Sequence, residues 1–454
     1  MSRNFTWYSI IVIIMILYYF RSQIGMQDMK PPIANKNPHK NIVHGKERID
    51  NYHWIRLSDE QKSAKNAEGW PDTQTMEVVS YINKENEYTR NKLKHTEKLQ
   101  KKLYNEIVGR IKKDDSSVPY YDNGYWYYTK YEKGKEYPIY CRKKETLENK
   151  EEVMIDVNLW AEGHDYFSLR NLSVSPNNKL LAFSVDTLSR RIYTIKVKNL
   201  ETGDLLEDEI HGTEGSVAWA NDNSTFFYTV KNKITLLSEH IDRHELGTPQ
   251  SEDVRVFTES DDSFYIGVYR SKSDKYIIIY NSSTLVSDYH ILNANEPTGE
   301  FRQFSLREKE HEYSIEHYRD KFYILTNWNA MNFRLMETSE QTTEKQNWKE
   351  VISHRKDVFL NDIDVFSNYL VISERKDGLP QIRIINQNDG NEHYIDFGEA
   401  VFSAYTSVNP SFNTKILRYQ FSSLITPSST YDYNMESKKS KLLKQSEGVG
   451  GYDP

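Results

Sequence analysis

The chain has 454 residues, of which 28% are charged and 13% aromatic, including 33 Tyr; that length can bury one large core or several ordinary ones, and rings of this kind are buried most readily in strands. A net charge of −7, from 59 Lys and Arg against 66 Asp and Glu spread along the chain, leaves no basic stripe and argues against nucleic acid as a partner. The single cysteine, Cys141, excludes an internal disulfide and a cysteine-based zinc site.

The first element is apolar. Phe5 to Phe20 carries no charge, is flanked by Arg3 and Arg21, and has Trp7, Tyr8, Tyr18 and Tyr19 near its ends, where interfacial rings sit. Residues 1–30 are therefore expected to be a membrane anchor or signal segment, with the membrane as partner through residues 5–20. The run falls just short of the ~17–25 residues of a spanning helix. No small-x-small cleavage site precedes Lys30-Pro31-Pro32, which favours an uncleaved anchor over a cleaved signal peptide. Flanking charge is nearly balanced and leaves the orientation open. The expected location is membrane-anchored and exported, on the periplasmic side in a bacterium, with the cytoplasm as the alternative.

Residues 31–115 read as a helical N-terminal segment. Between Asp72 and Ile111, Met76, Val79 and Ile82 recur at i, i+3, and Leu99, Leu103 and Ile107 at i, i+4. Pro71 with Asp72, and then Thr96, are helix-start residues, so two helices are expected. The polar stretch Asn83–Asn91 is read as the solvated side of the first.

After Pro119 the pattern changes to strands. A turn rich in Asn, Asp, Ser or Lys is followed at once by a short aromatic and β-branched run, and this happens seven times: before Tyr125, Leu180, Thr225, Tyr276, Phe322, Tyr369 and Lys415. The anchors lie roughly 45–55 residues apart, close to the ~40–50 of a four-stranded propeller blade. Turns such as Asn199–Gly203, Lys376-Asp377-Gly378 and Asn388-Asp389-Gly390 fall between them and suit hairpins that need positive φ. The expected fold is mainly β: a seven-bladed β-propeller over residues 116–444, after the helical segment and the N-terminal anchor. A sandwich or solenoid is the weaker alternative, because its strands recur every ~8–12 residues without a blade-length period.

Catalytic chemistry is hard to find in these residues. No serine sits in a G-x-S-x-G frame; Ser216 follows Gly215 but lacks the second glycine. His240 and His244 have i, i+4 spacing without the Glu of an H-E-x-x-H site, and His311, Glu312 and His317 also miss that frame. Asp114-Asp115 and Asp261-Asp262 read as solvated turns, and Tyr125–Tyr128 as packing rings. No catalytic residue, metal ligand, cofactor-binding residue or cofactor is predicted.

One segment is more specific. His44-Gly45-Lys46-Glu47-Arg48-Ile49-Asp50-Asn51-Tyr52-His53-Trp54-Ile55-Arg56 resembles an HG-x-x-R-x-D-x-Y-x-W-L-R signature of the prolyl oligopeptidase family, with Ile55 in place of Leu. Gly109–Lys112 with Asp115–Pro119, Val174-Ser175-Pro176 through Thr194, and Ser429–Met435 resemble its oligopeptidase B branch. The resemblance implies a serine endopeptidase that cuts short peptides after Arg or Lys, with an α/β-hydrolase domain bearing the Ser, Asp and His, and a propeller that gates entry. It also implies that residues 445–454 are a truncated linker toward that hydrolase domain, which short peptides would reach in the complete enzyme and which a separate gene could encode. Arg48, Asp50, Tyr52, Trp54 and Arg56 are then candidate interdomain contacts. The alternative is a membrane-tethered propeller serving as a protein-interaction or peptide-binding module without catalysis.

Overall fold

The computed structural model describes residues 29–63, 69–70 and 72–448. The expected anchor at residues 5–20 lies outside them. Among the described residues no helix is long and apolar enough to cross a membrane. The chain divides into two compact units, residues 1–111 and 112–454.

The first unit opens with a hairpin of strands His39–Val43 and Lys46–Asp50, turned at His44 and Gly45, both at positive φ. A short 3-10 turn, His53–Ile55, and a five-residue helix, Asp59–Ser63, follow. Helix Thr73–Leu93 starts where Asp72 accepts a 2.8 Å hydrogen bond from the Thr75 amide, a side-chain cap that satisfies an otherwise orphaned donor. Helix Glu97–Gly109 follows after one 3-10 turn. The buried stripe of the first helix carries Thr75 and Val78, whereas Met76 and Ile82 are exposed. Leu99, Leu103 and Ile107 are exposed on the second. The apolar spacing seen in the sequence is thus present, but it faces outward.

The second unit is a mainly β propeller of antiparallel sheets. All seven turn-anchored runs are strands, from Tyr125–Tyr131 to Ile416–Ser423. Their partition corrects the expectation of seven separate blades. Among the described residues, five sheets have blade size: one of five strands over residues 115–156, and four of four strands over 265–303, 313–352, 358–394 and 402–445. The second and third repeats instead share one seven-stranded sheet, from Ser168–Val174 to Val254–Thr258. The reason is strand Leu205–Trp219, fifteen residues that pair with Tyr193–Asn199 at one end and Thr225–Lys231 at the other. It bends without a turn at Gly212 and Gly215, both at positive φ. A Cβ at Gly215 would press on Ser184 at 3.2 Å and on the Tyr193 ring at 3.3 Å, so the bend depends on glycine there.

Cores lie between sheets. Tyr127, Met154 and Ile155 of the five-stranded sheet pack with Leu181 and Phe183 of its neighbour, and Val371 and Ile384 pack with Leu417 and Phe421. Apolar clusters of this kind join successive sheets along the unit. Among the described residues, none joins the last sheet to the first.

Candidate functional site

Three cavities meet around the hairpin formed by strands Tyr120–Asp122 and Tyr125–Tyr131, whose turn places Asn123 and Gly124 at positive φ. The largest, about 590 Å³, is lined by Asp122, Arg270, Lys272, Asp274, Glu316 and Asp364 among others. A second, about 220 Å³, extends from Asp122 toward Ser173 and Trp219. A third, about 350 Å³, lies between the first and last sheets, against Trp126, Ile416 and Arg418.

Charge in the largest cavity is unevenly matched. The Arg270 guanidinium donates to Asp274 at 2.8 Å, to the Trp219 carbonyl and to Asn221. Lys272 pairs with Asp364 at 2.5 Å and lies 3.5 Å from the centre of the Phe366 ring. Asp122 and Glu316 have no ion-pair partner among the described residues. Burial, reinforced by the Asp364 and Asp362 charges, pushes Glu316 up to about 8 despite Lys272. Burial, with Asp274 adding, raises Asp122 to about 6. Lys272 is lowered, chiefly by burial.

The seam between first and last sheets differs from the other sheet boundaries in that no apolar cluster spans it among the described residues; polar side chains bridge it instead. Lys444 Nζ reaches both Asp115 oxygens at 2.7 Å and the Ser116 carbonyl at 2.5 Å. Arg418 donates to the Pro119 carbonyl at 2.7 Å while gripping Asp432 with two further bonds. Ser411 Oγ donates to the Tyr121 carbonyl at 2.8 Å. The hydrogen bond from Lys444 holds the Asp115 carboxyl below its ordinary range. A partly exposed pair of this kind contributes only ~0–1 kcal/mol, so the seam is a weak line in the ring. Arg418→Ala is expected to cost about 1–3 kcal/mol, because it strips Asp432 and the Pro119 carbonyl of a nearly buried donor. Hydrogen exchange should show the strands at 115–131 and 402–423 opening sooner in the variant than the sheet at 313–352. Uniform acceleration across the unit would show that Arg418 acts on the whole fold and not on the seam.

The residues singled out from the sequence fall elsewhere. Asp50 accepts from the Tyr52 amide at 2.9 Å, and Trp54 donates to the Asn35 carbonyl at 2.8 Å and packs edge-on to Tyr81. Arg48, Tyr52 and Arg56 are exposed. Ser216 Oγ donates to the Glu214 carboxylate at 2.5 Å and accepts from the Asn171 amide, with no histidine among its hydrogen-bond partners in the described residues. His240 and His244 share one strand, Ser238–Glu245, and not a helix. Their alternate spacing puts both on one face, where His240 meets Arg255 and His244 is clasped between Asp208 and Asp253. His317 is held by Ser273 and Glu340, and His311 by Thr326. Sequence reasoning passed over Asp122, Glu316, Asp364 and Lys272. Each belongs to a different repeat or strand, and no short-range spacing announces that they line one cavity.

Comparison with known proteins completes the picture. The family model described as "Prolyl oligopeptidase, N-terminal beta-propeller domain" matches residues 31–446. Among curated relatives, dipeptidyl aminopeptidase BI of Pseudoxanthomonas mexicana is 38% identical over 93% of this chain and 59% of its own length. Protease 2 of Moraxella lacunata is 29% identical over 94% of this chain and 60% of its own. Oligopeptidase B from Leishmania major superposes with a TM-score of 0.83 at 29% identity, over 93% of this chain and 61% of that one. The chain thus spans about three fifths of the length of these relatives, the part that corresponds to an N-terminal propeller. On that match the chain belongs to the prolyl oligopeptidase family, as the N-terminal β-propeller part of such a peptidase.

Proposed function

We propose that this chain is the substrate-screening part of an oligopeptidase B-like serine endopeptidase that cleaves short peptides after Arg or Lys, its bond-breaking groups lying on an α/β-hydrolase domain outside these 454 residues. The observation that carries the reading is the likeness to peptidases along nearly the whole chain, coupled with its covering only 59% of dipeptidyl aminopeptidase BI. The cavity of about 590 Å³ suits a few residues of an extended peptide and excludes a folded domain.

In this reading the exposed side chains of Arg48, Tyr52 and Arg56 contact the hydrolase domain, while Asp50 and Trp54 shape the turn that presents them. The outward stripe of Leu99, Leu103 and Ile107 is covered by the same domain, since exposed apolar stripes of this kind mark interaction faces. Cleavage of a peptide bond needs a nucleophile, a base and an oxyanion site held together. The chain by itself should therefore release no product from a blocked Arg or Lys peptide above the buffer rate. Turnover that disappears on Ser216→Ala would place a nucleophile inside the propeller and overturn the reading.

A dipeptidyl aminopeptidase activity is the second reading, favoured by the 38% identity to the relative of that name. Substrates with and without a blocked N-terminus separate the two.

A further inference from the structure

The paired and unpaired charges of the largest cavity differ in a way that points to a ligand. Both cations that line it are already engaged, Arg270 by Asp274 and two oxygen acceptors, and Lys272 by Asp364 and the Phe366 ring. Two carboxyl groups, Asp122 and Glu316, line the same cavity without a salt bridge among the described residues, Arg270 and Lys272 acting on them only through space. Glu316 lies on strand Tyr313–Tyr318, enclosed by neighbouring strands, with solvent reaching it from the cavity. Its surroundings are Asp362 and Asp364 on strand Val358–Val365, Lys272 after strand Tyr265–Arg270, and the rings of Tyr269 and Tyr289. Such a group stays protonated while no cation matches it, and a cation arriving from outside lets it ionise.

We propose that the cavity is a cation-binding site of the propeller itself, in which Glu316, assisted by Asp122, takes the guanidinium or ammonium group of a peptide. The lining suits such a group beyond charge. Tyr121, Tyr269 and Phe412 offer ring surface to the stem of a long basic side chain or to a delocalised guanidinium, and Ser271, Ser411 and Asn413 offer oxygen acceptors. The site needs no catalytic domain. It would concentrate basic peptides inside the ring whatever the chemistry that follows.

Calorimetric titration of the full chain tests this with four probes: acetyl-Ala-Arg-Ala-amide, acetyl-Ala-Gln-Ala-amide, Ala-Gln-Ala-amide with a free N-terminus, and 1,4-diaminobutane. Binding of the Arg peptide, absence of binding by the blocked Gln peptide, and an affinity at least about tenfold weaker in Glu316→Gln are expected, the loss of one charge-assisted contact. The free N-terminal peptide reports whether an α-ammonium is accepted as well, and binding by it that is also lost in Glu316→Gln supports the same site. Glu316→Gln puts a neutral amide of the same shape where Asp362 and Asp364 crowd a carboxyl group, so it should fold at least as stably as the parent, which the melting temperature checks. Asp122→Asn supplies a second variant with the same expected direction. Equal binding of the Arg and Gln peptides, unchanged affinity in both variants, or binding of the diamine alone would overturn the proposal.

Discussion

His244→Ala is expected to destabilise the chain by about 3–5 kcal/mol, the cost of leaving buried carboxylates without their cation. The His244 ring has no solvent exposure, and both its nitrogens face carboxylates: Nδ1 meets Asp253 at 2.6 Å and Nε2 meets Asp208 at 3.0 Å. A neutral imidazole has one N–H and could satisfy one of them; the imidazolium satisfies both. The remaining capacity of the carboxylates is also used, Asp253 accepting from the Tyr228 hydroxyl at 2.6 Å and Asp208 from the Gly247 amide at 2.6 Å. Burial favours the neutral ring, but the hydrogen bonds to Asp253 and Asp208 outweigh it and raise the pKa above the ordinary histidine value.

The sign of the pH dependence follows from that raised value. The stabilisation is fully present below about pH 6.5, the unfolded pKa, and is lost as pH rises through the folded one. Glu316, also raised on folding, makes stability fall with pH in the same direction. It is common to parent and variant, so the difference between their melting temperatures isolates His244. That difference should shrink between pH 6 and pH 9. A constant difference over the range would mean that His244 is neutral in the fold.

Much of the fold was legible because turn chemistry and strand composition agree locally. Asn178, Asn223 and Asp274 take positive φ immediately before strands that are almost wholly buried, and these are residue types that tolerate such backbone. The division into sheets was not legible, since nothing in Leu205–Trp219 separates a strand that bends through two glycines from two strands joined by a turn. Helical spacing marked Met76 and Ile82 as apolar, but spacing alone does not say which stripe of a helix is covered, and the buried one holds Thr75 and Val78. The i, i+4 pair His240 and His244 has helical metal spacing without the Glu of such a site, and both lie on a strand, where the same interval also gives one face. The cavity carboxylates escaped notice for a geometric reason: Asp122, Glu316 and Asp364 meet only after the sheets are assembled.

The largest change in activity is expected when the chain is joined to a hydrolase domain. In the proposed reading the propeller contributes position, screening and exclusion of bulk water, and a hydrolase domain contributes the reacting groups. Replacing the N-terminal part of Pseudoxanthomonas mexicana dipeptidyl aminopeptidase BI with residues 31–446 of this chain brings the two together on a background 38% identical to it. From the buffer rate expected of the chain alone, turnover of a short Arg peptide should rise by several orders of magnitude, as enzymatic rates over uncatalysed ones do. Arg418→Ala in the fusion, by loosening the seam, should leave cleavage of the short peptide intact and admit longer substrates.

The most direct measurement is the ratio of kcat/KM for a blocked tripeptide containing Arg to that for an unfolded polypeptide of 100 residues containing the same sequence, in the fusion and in the isolated hydrolase portion. If this chain screens substrates, the fusion cleaves the tripeptide and discriminates against the polypeptide far more strongly than the hydrolase portion does. Equal ratios in the two proteins would contradict a screening role for the propeller.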